Sequence, residues 1–316
     1  MNIVSFTLST FALTACMSGF ALEGASTAYA AAPSISAPSK ISQLQVGSMY
    51  VEKHANPNAK GAPVIFIPGL SSGGYVWDEA VKRLSQDHEL YVVTLAGFHG
   101  RPAIAGPKLT TAKESLLKLI QDEHINKPVL VGHSLGSALS IWFAESHSHL
   151  IRGVFGVDGL PVLPGTENMS QEQRDAMAEG GRAHFANADQ ASFGAQQLQY
   201  MRYIGVMDDK VAEKLGAESA KSHPASVGDY MAELLKMDMR KDLPAISVPV
   251  ALVSPYNAPD FVRANMSADA KHAYYRTLMQ GTPQLSIIPI NDSRHFPMYD
   301  QPTQFHDELA RFINAL

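Results

Sequence analysis

A single serine stands in a setting that suits a nucleophile. Residues 132–136 read Gly-His-Ser-Leu-Gly, a G-x-S-x-G pattern centred on Ser134. Such a serine sits on a sharp turn between a strand and a helix, and the two glycines remove side chains where those elements nearly touch. The helix N-terminus favours the negative charge that develops when a hydroxyl attacks a carbonyl. Ser134 is therefore the candidate nucleophile for covalent acyl transfer.

A serine hydroxyl needs a base, and His295 is the candidate. It follows an apolar run at residues 285–290, within the sequence Ser-Arg-His-Phe-Pro at 293–297. A histidine can take the serine proton and later return it to the leaving group. A carboxylate usually orients such a base, and Asp158 and Asp260 each follow a strand-like run. Asp260 also precedes a helical pattern, so it could instead be a helix N-cap.

Alternating strand and helix patterns surround these residues. Short apolar runs are typical of strands buried on both faces of a parallel sheet, and they cover residues 63–67, 90–93, 128–131, 153–157, 248–253 and 285–288. A further strand is predicted at 45–53. Helices are predicted at 75–84, 111–125, 135–146 and 301–316, with Thr111 and Glu114 as a capping box of the second. This alternation predicts a parallel sheet with right-handed crossovers.

The alternation stops between residues 161 and 244. This stretch has helical patterns, no convincing strand pattern and a second capping box at Ser170 and Gln173. It is too long for a loop, so an inserted helical subdomain is predicted.

Residues 46–316 resemble the α/β-hydrolase superfamily, in its branch of serine hydrolases and esterases with a helical cap. The glycine-rich loop at 68–74, the G-x-S-x-G turn and the segment around His295 stand in the family's order. The resemblance implies an α/β fold with a doubly wound, mostly parallel sheet. It assigns residues 44–160 and 245–316 to the core and 161–244 to the cap.

The resemblance also implies roles for individual residues. The backbone N–H groups of Leu70 and Leu135 would form the oxyanion hole, although the family usually has His-Gly where this chain has Pro-Gly at 68–69. The family's acid usually follows the strand predicted at 248–253, which favours Asp260. Some members place it at the tip predicted at 153–157, so Asp158 remains the alternative.

Carboxylic ester hydrolysis on a small, apolar substrate is the activity that the resemblance implies first. Lactone, thioester and carbon–carbon bond hydrolysis fit the same three side chains. A non-catalytic ligand-binding protein on this fold is the alternative from another class. The sequence contains no phosphate-binding loop, dinucleotide fingerprint or metal-ligand motif, so no cofactor and no metal are expected.

Composition narrows the choice further. The chain is 46% hydrophobic and 17% charged, which is typical of a globular protein. Its net charge is −5 and it has no run of lysine and arginine, which argues against a nucleic-acid partner. No apolar run beyond the N-terminal segment predicts a membrane span.

The N-terminal segment has the pattern of an export signal. Residues 1–30 are mostly apolar and end in Ala-Tyr-Ala, an A-x-A cleavage site, although no basic residue precedes the apolar run. A signal peptide at 1–30, a Pro- and Ser-rich tether at 31–43 and a periplasmic or extracellular enzyme are therefore expected. Leu-Thr-Ala-Cys at 13–16 also resembles a lipoprotein box, so a lipid anchor on Cys16 is the alternative.

Overall fold

The structure, a computed structural model, describes residues 40–316. The predicted signal peptide, Cys16 and the tether up to residue 39 lie outside the described residues. Residues 40–43 do not belong to a tether, because strand β1 (Lys40–Val46) begins there. It pairs antiparallel with β2 (Met49–Ala55) through a two-residue turn in which Gly47 has a φ of 55°. None of the helices in the described part of the chain is both long and apolar enough to cross a membrane.

An eight-stranded sheet forms the centre of the molecule, in the order β1-β2-β4-β3-β5-β6-β7-β8. The remaining strands are β3 (Val64–Ile67), β4 (Leu90–Leu95), β5 (Val129–His133), β6 (Gly153–Val157), β7 (Val250–Tyr256) and β8 (Leu285–Asn291). Strand β2 is antiparallel to both of its neighbours, and all other pairs are parallel. The predicted α/β class with a mostly parallel sheet is therefore confirmed.

Helices connect the strands and extend beyond them. They are α1 (Asp78–Leu84), α2 (Lys108–Asp122), α3 (Leu135–His147), α4 (Gln171–Ala186), α5 (Gln190–Tyr200), α6 (Asp209–Ser219), α7 (Pro224–Lys236), α8 (Ala258–Phe261), α9 (Ala268–Leu278), α10 (Pro297–Asp300) and α11 (Pro302–Asn314). The capping box predicted at Thr111 is wrong, because α2 begins three residues earlier and Thr111 Oγ1 donates to the carbonyl of Pro107 at 2.6 Å. The box predicted at Ser170 is confirmed at the start of α4.

The sheet is covered on both faces because its side chains alternate. On β3, Val64 and Phe66 belong to the apolar cluster that contains α1 and α11. Ile65 and Ile67 point the other way, into the cluster that contains α2 and α3. Burial on both faces explains why these strands appear in the sequence as continuous apolar runs.

The four helices α4 to α7 lie between β6 and β7 in the chain, where the helical insertion was predicted. We refer to residues 161–244 as the cap. Helix α4 packs on α7, and α5 packs on α6. Phe193 and Tyr230 of the cap are fully buried in the cluster that includes core residue Phe98, whose ring centroid lies 4.7 Å from that of Tyr230. The cap therefore shares its apolar interior with the sheet.

Candidate active site

The turn after β5 places Ser134 in a strained conformation at the start of α3. Its φ of 52° and ψ of −115° lie outside the regions that side-chain-bearing residues prefer. The turn is held from both sides: the N–H of Ser134 donates to Val157 O at 2.7 Å, and Ala138 N donates to Ser134 O at 3.1 Å. The strain is therefore balanced by fixed backbone hydrogen bonds.

The glycines around Ser134 are required by close backbone contacts. A Cβ on Gly132 would lie 2.2 Å from the carbonyl oxygen of Gly136. A Cβ on Gly136 would lie 2.2 Å from Ile67 O, and a Cβ on Gly159 would lie 2.0 Å from Ser134 O. Three strands and one helix thus meet at the turn with no space for a methyl group.

The register of the sheet brings Asp158 beside Ser134. Strands β5 and β6 are parallel, with His133 opposite Val157, so the next residues, Ser134 and Asp158, leave the sheet side by side. Asp158 has a φ of 48°, a left-handed conformation that aspartate adopts more readily than most residues. Its side chain turns toward the loop after β8, where His295 Nδ1 lies 2.5 Å from Asp158 Oδ2.

Asp158 is held as a carboxylate by its neighbours. Burial alone would raise its pKa, but the charge of His295 and the hydrogen bonds from His295 and Tyr275 outweigh that effect and lower the pKa to about 2. The hydroxyl of Tyr275, on α9, donates to Asp158 Oδ1. The two oxygens of Asp158 therefore have different partners: Oδ1 accepts from Tyr275, and Oδ2 contacts His295.

Asp260, the acid preferred from the sequence, does not contact His295. Strand β7 runs to Tyr256, three residues beyond the predicted end, so Asp260 falls on the short helix α8. There its carboxylate accepts hydrogen bonds from Arg294 at 2.9 and 3.0 Å and from Asn257 Nδ2 at 2.8 Å. The preference for Asp260 is thus corrected: Asp158 occupies the position beside the histidine.

The loop that carries His295 is bound to the cap by its backbone. The N–H of His295 donates to Ile204 O at 3.1 Å, and the N–H of Phe296 donates to Gly205 O at 3.0 Å. The acceptors belong to a π-helical turn at Met201–Gly205, which extends α5. Such turns occur often at functional sites. The cap therefore helps to fix the position of the histidine.

A second set of hydrogen bonds joins the cap to the loop after β3. The hydroxyl of Ser71 donates to Ser219 O at 3.0 Å, and Ser222 Oγ donates to Ser71 O at 3.1 Å. His99, in the loop after β4, lies 2.7 Å from a carboxylate oxygen of Glu218. The end of α6 thus holds the loop that contains Leu70.

The backbone of Leu70 and Leu135 lies against the serine turn. Leu135 is the first residue of α3, so its N–H has no acceptor within the helix. A Cβ on Gly69 would lie 3.1 Å from Ser134 Cβ, which places the loop before Leu70 against the serine. Leu70 and Ser134 line the same cavity.

His133 supports the site from below. It is fully buried, and its pKa is lowered to about 3, first by burial and then by the nearby charge of His295. The neutral ring donates from Nε2 to the backbone oxygen of His295 at 2.9 Å, and it packs on Phe296 with 4.3 Å between ring centroids. His133, the residue before Ser134, therefore holds the backbone of His295 in place.

A cavity of about 530 Å³ lies between the sheet edge and the cap. Ser134, Asp158 and His295 line it together, and Asp260 does not. The cap contributes mostly apolar side chains, among them Phe185, Val227, Met231 and Leu234. This size and lining are those of a small-molecule site. Across residues 40–316, no group of three or more His, Cys, Asp and Glu side chains is arranged to hold a metal ion.

A sequence profile described as the Alpha/beta hydrolase family matches residues 64–308, which is most of the chain. The chain belongs to the alpha/beta hydrolase family. The match runs from β3 to α11 and includes the cap.

Three relatives of this alpha/beta hydrolase share less than 25% sequence identity with it. A pimeloyl-[acyl-carrier protein] methyl ester esterase of Vibrio cholerae is 23% identical over 266 residues, covering 81% of this chain and 95% of the relative. A thermophilic esterase from Thermogutta terrifontis superposes with a TM-score of 0.67 at 19% identity, covering 87% of this chain and 98% of that one. The enol-lactonase of Burkholderia xenovorans superposes with a TM-score of 0.67 at 15% identity, over 86% of this chain and 100% of its own.

Sequence reasoning missed the residues that act around the three side chains. Tyr275 lies in an ordinary amphipathic helix, and nothing local marks its hydroxyl as a partner of Asp158. Arg294 stands directly before His295, and its position in the loop was the one available signal. The π-helical turn has no sequence signature of its own, because one extra residue in a helical turn hardly alters the spacing of the apolar residues.

Proposed function

We propose that this protein is a serine esterase that cleaves a carboxylic ester through an acyl-enzyme. The observation that carries the proposal is the contact between His295 Nδ1 and Asp158 beside a cavity that Ser134 also lines. With Nδ1 bound to the carboxylate, the other ring nitrogen of His295 is left to accept the proton of Ser134.

The reaction balances with these groups alone. Ser134 Oγ attacks the carbonyl carbon of the ester while His295 takes its proton. The N–H groups of Leu70 and Leu135 stabilise the negative oxygen of the tetrahedral intermediate, an effect of about 3 kcal/mol for each donor in such sites. The carbon–oxygen bond to the alcohol then breaks, and His295 returns the proton to the alcohol. Water then attacks the acyl carbon while His295 takes its proton, the bond from that carbon to Ser134 Oγ breaks, and His295 returns the proton to Ser134 as the acid leaves.

A lactone is the second candidate substrate. Its carbonyl meets the same groups, and its alcohol remains attached to the acid after cleavage. The solved enol-lactonase that shares this fold favours keeping it in the test. Thioesters and carbon–carbon bonds would use the same steps but demand different leaving groups.

The decisive experiment compares wild type, Ser134→Ala and Ser146→Ala on p-nitrophenyl esters and on lactones. Ser146 is an exposed serine on the same helix and serves as the matched control. We expect wild type and Ser146→Ala to hydrolyse the esters and Ser134→Ala to lose at least 1000-fold in kcat, on the order known for loss of such a nucleophile. Equal hydrolysis by wild type and Ser134→Ala, or none by wild type, would disprove the proposal.

We also propose that the protein is exported, on the basis of the Ala-Tyr-Ala site at residues 28–30. Expression of the full chain in a bacterium, followed by N-terminal sequencing of the periplasmic fraction, tests this directly. A mature N-terminus at Ala31 supports signal cleavage. Palmitate labelling that is lost in Cys16→Ala supports the lipoprotein alternative, and recovery of uncleaved protein in the cytoplasm refutes both.

A further inference from the structure

The cavity beside Ser134 offers no counter-ion to a charged substrate. Of the described residues that line it, none is a lysine or an arginine, and Asp158 is the sole carboxylate. That carboxylate is already bound by His295 and Tyr275. A substrate carboxylate held against the apolar part of the wall would be buried without a partner, at a cost of several kcal/mol. The cavity therefore suits an uncharged molecule.

The cap nevertheless places three polar side chains in the cavity wall, Gln196, Gln197 and Tyr200, of which Gln197 is the most buried. Gln197 on α5 is 8% exposed and lines the cavity. Its side chain makes no hydrogen bond to another residue of the described chain. Two other cap glutamines are paired: Gln190 donates to Ala220 O, and the side chain of Gln173 accepts from the backbone N–H of Ser170 at 2.8 Å. Gln196 and Gln199 also bond no residue of the described chain, but both are more exposed than Gln197.

The carboxamide of Gln197 keeps contact with the cavity, because neither its oxygen nor its nitrogen is among the fully buried side-chain atoms that lack a partner. Water or a bound molecule can therefore meet its donor and its acceptor. Phe185 and Leu234 line the same cavity, and most of the cap side chains in its wall are apolar. A glutamine in this position is useful if the bound molecule supplies the missing partner.

Building on the proposed esterase function, we propose that Gln197 recognises one uncharged hydrogen-bonding group in the acyl part of the substrate. A carboxamide presents a donor and an acceptor side by side, and an internal secondary amide or a hydroxyl can satisfy both. The substrate class is thus a neutral ester or lactone whose acyl chain is apolar except for one amide or hydroxyl. Acyl chains that end in a carboxylate are excluded.

Three p-nitrophenyl esters of equal chain length test this inference: a plain alkanoate, an analogue with an internal secondary amide, and an analogue with a terminal carboxylate. Wild type should show about tenfold higher kcat/KM on the amide ester than on the alkanoate, since one neutral hydrogen bond is worth about that factor. The carboxylate ester should be the poorest substrate, by roughly 100-fold or more.

Gln197→Met keeps the length of the side chain and removes both hydrogen-bonding groups. We expect the ratio of the two kcat/KM values, amide ester over alkanoate, to fall about tenfold in this variant. Gln199→Met is the matched control, because Gln199 is exposed on the same helix. A ratio unchanged by Gln197→Met, or a wild type that prefers the alkanoate, would overturn the inference.

Failure of the inference and failure of the esterase proposal are distinguishable. Ester turnover that depends on Ser134 but ignores Gln197 refutes the inference alone. If no ester is turned over, calorimetry on Ser134→Ala with the methyl esters of the amide acid and the alkanoic acid tests recognition without chemistry. Tighter binding of the amide ester that disappears in Ser134→Ala/Gln197→Met supports the inference, and equal binding of the two esters refutes it.

Discussion

Arg294 and Asp260 form a bidentate ion pair, with Nε 2.9 Å from Oδ2 and Nη2 3.0 Å from Oδ1. The remaining nitrogen of the guanidinium, Nη1, donates to Arg202 O at 2.6 Å and to Val206 O at 3.1 Å, at the two ends of the π-helical turn. The residue before the candidate base is therefore bonded to the β7 loop on one side and to the cap on the other.

Replacing Arg294 should shift the position of His295 while the side chain of His295 itself is unchanged. We expect Arg294→Met to lower kcat on a p-nitrophenyl ester by roughly 10- to 100-fold, because small displacements of reacting groups have effects of that size. Arg311→Met is the control, since the side chain of Arg311 is 68% exposed and forms an ion pair on the surface helix α11. A kcat for Arg294→Met equal to that of the control would show that the histidine loop holds its place unaided.

The same substitution made at Asp158 and at Asp260 distinguishes the roles of the two aspartates. Asp158→Asn should reduce kcat by about 10⁴-fold, the size of loss seen when the acid of a serine–histidine–aspartate triad becomes an amide. Asp260→Asn weakens the ion pair to Arg294 and should cost about tenfold, because it acts only through position. Both are measured as steady-state kcat, with melting temperature as a check on folding. The reverse order of losses would return the role of the acid to Asp260.

Glycine-to-alanine substitutions should have opposite effects on stability at the crowded serine turn and on the open face of α4. Gly136→Ala places a methyl group 2.2 Å from Ile67 O and should destabilise the fold by about 2 kcal/mol or more. Gly180, on α4, has open space where a Cβ would lie, with no neighbouring atom within 4 Å, so Gly180→Ala should stabilise by about 0.5–1 kcal/mol. Urea unfolding of the two variants measures both values. Destabilisation of similar size in both would contradict the packing at the turn.

Glu145 should make stability depend on pH. Burial, followed by the charge of Asp242, raises its pKa to about 8, and its buried Oε1 has no hydrogen-bond partner among the described residues. A carboxyl group whose pKa is higher in the folded state stabilises the fold below pH ~4.5, and this contribution is lost as the pH rises through 8. The free energy of unfolding should therefore fall between pH 5 and pH 9, by on the order of 1 kcal/mol.

Glu145→Gln should remove that part of the pH dependence, since glutamine resembles the protonated acid. Glu114→Gln, an exposed position on α2, is the control and should leave the slope unchanged. Urea denaturation at pH 5, 7 and 9 gives the slopes. Identical slopes for wild type and Glu145→Gln would show that Glu145 is ionised throughout this range.

Features set by local chemistry were predictable from the sequence. The runs of Val, Ile and Leu predict strands buried on both faces, and the paired glycines at 132 and 136 predict the tight turn. The choice between Asp158 and Asp260 was not predictable, because it depends on how far β7 extends and on which residue the sheet register sets beside Ser134. The unpaired Gln197 was equally hidden, since only packing of α5 over the cavity reveals that it has no partner.

The backbone hydrogen bonds from His295 and Phe296 to residues 204 and 205 have a consequence for protein engineering. A cap in this family is an attractive module to exchange between relatives, because it follows one strand and precedes the next. Here a foreign cap would place its backbone acceptors correctly for the histidine loop only if it had the same turn as Met201–Gly205. A functional chimera of this protein would therefore have to take residues 201–207 and 294–296 from the same parent.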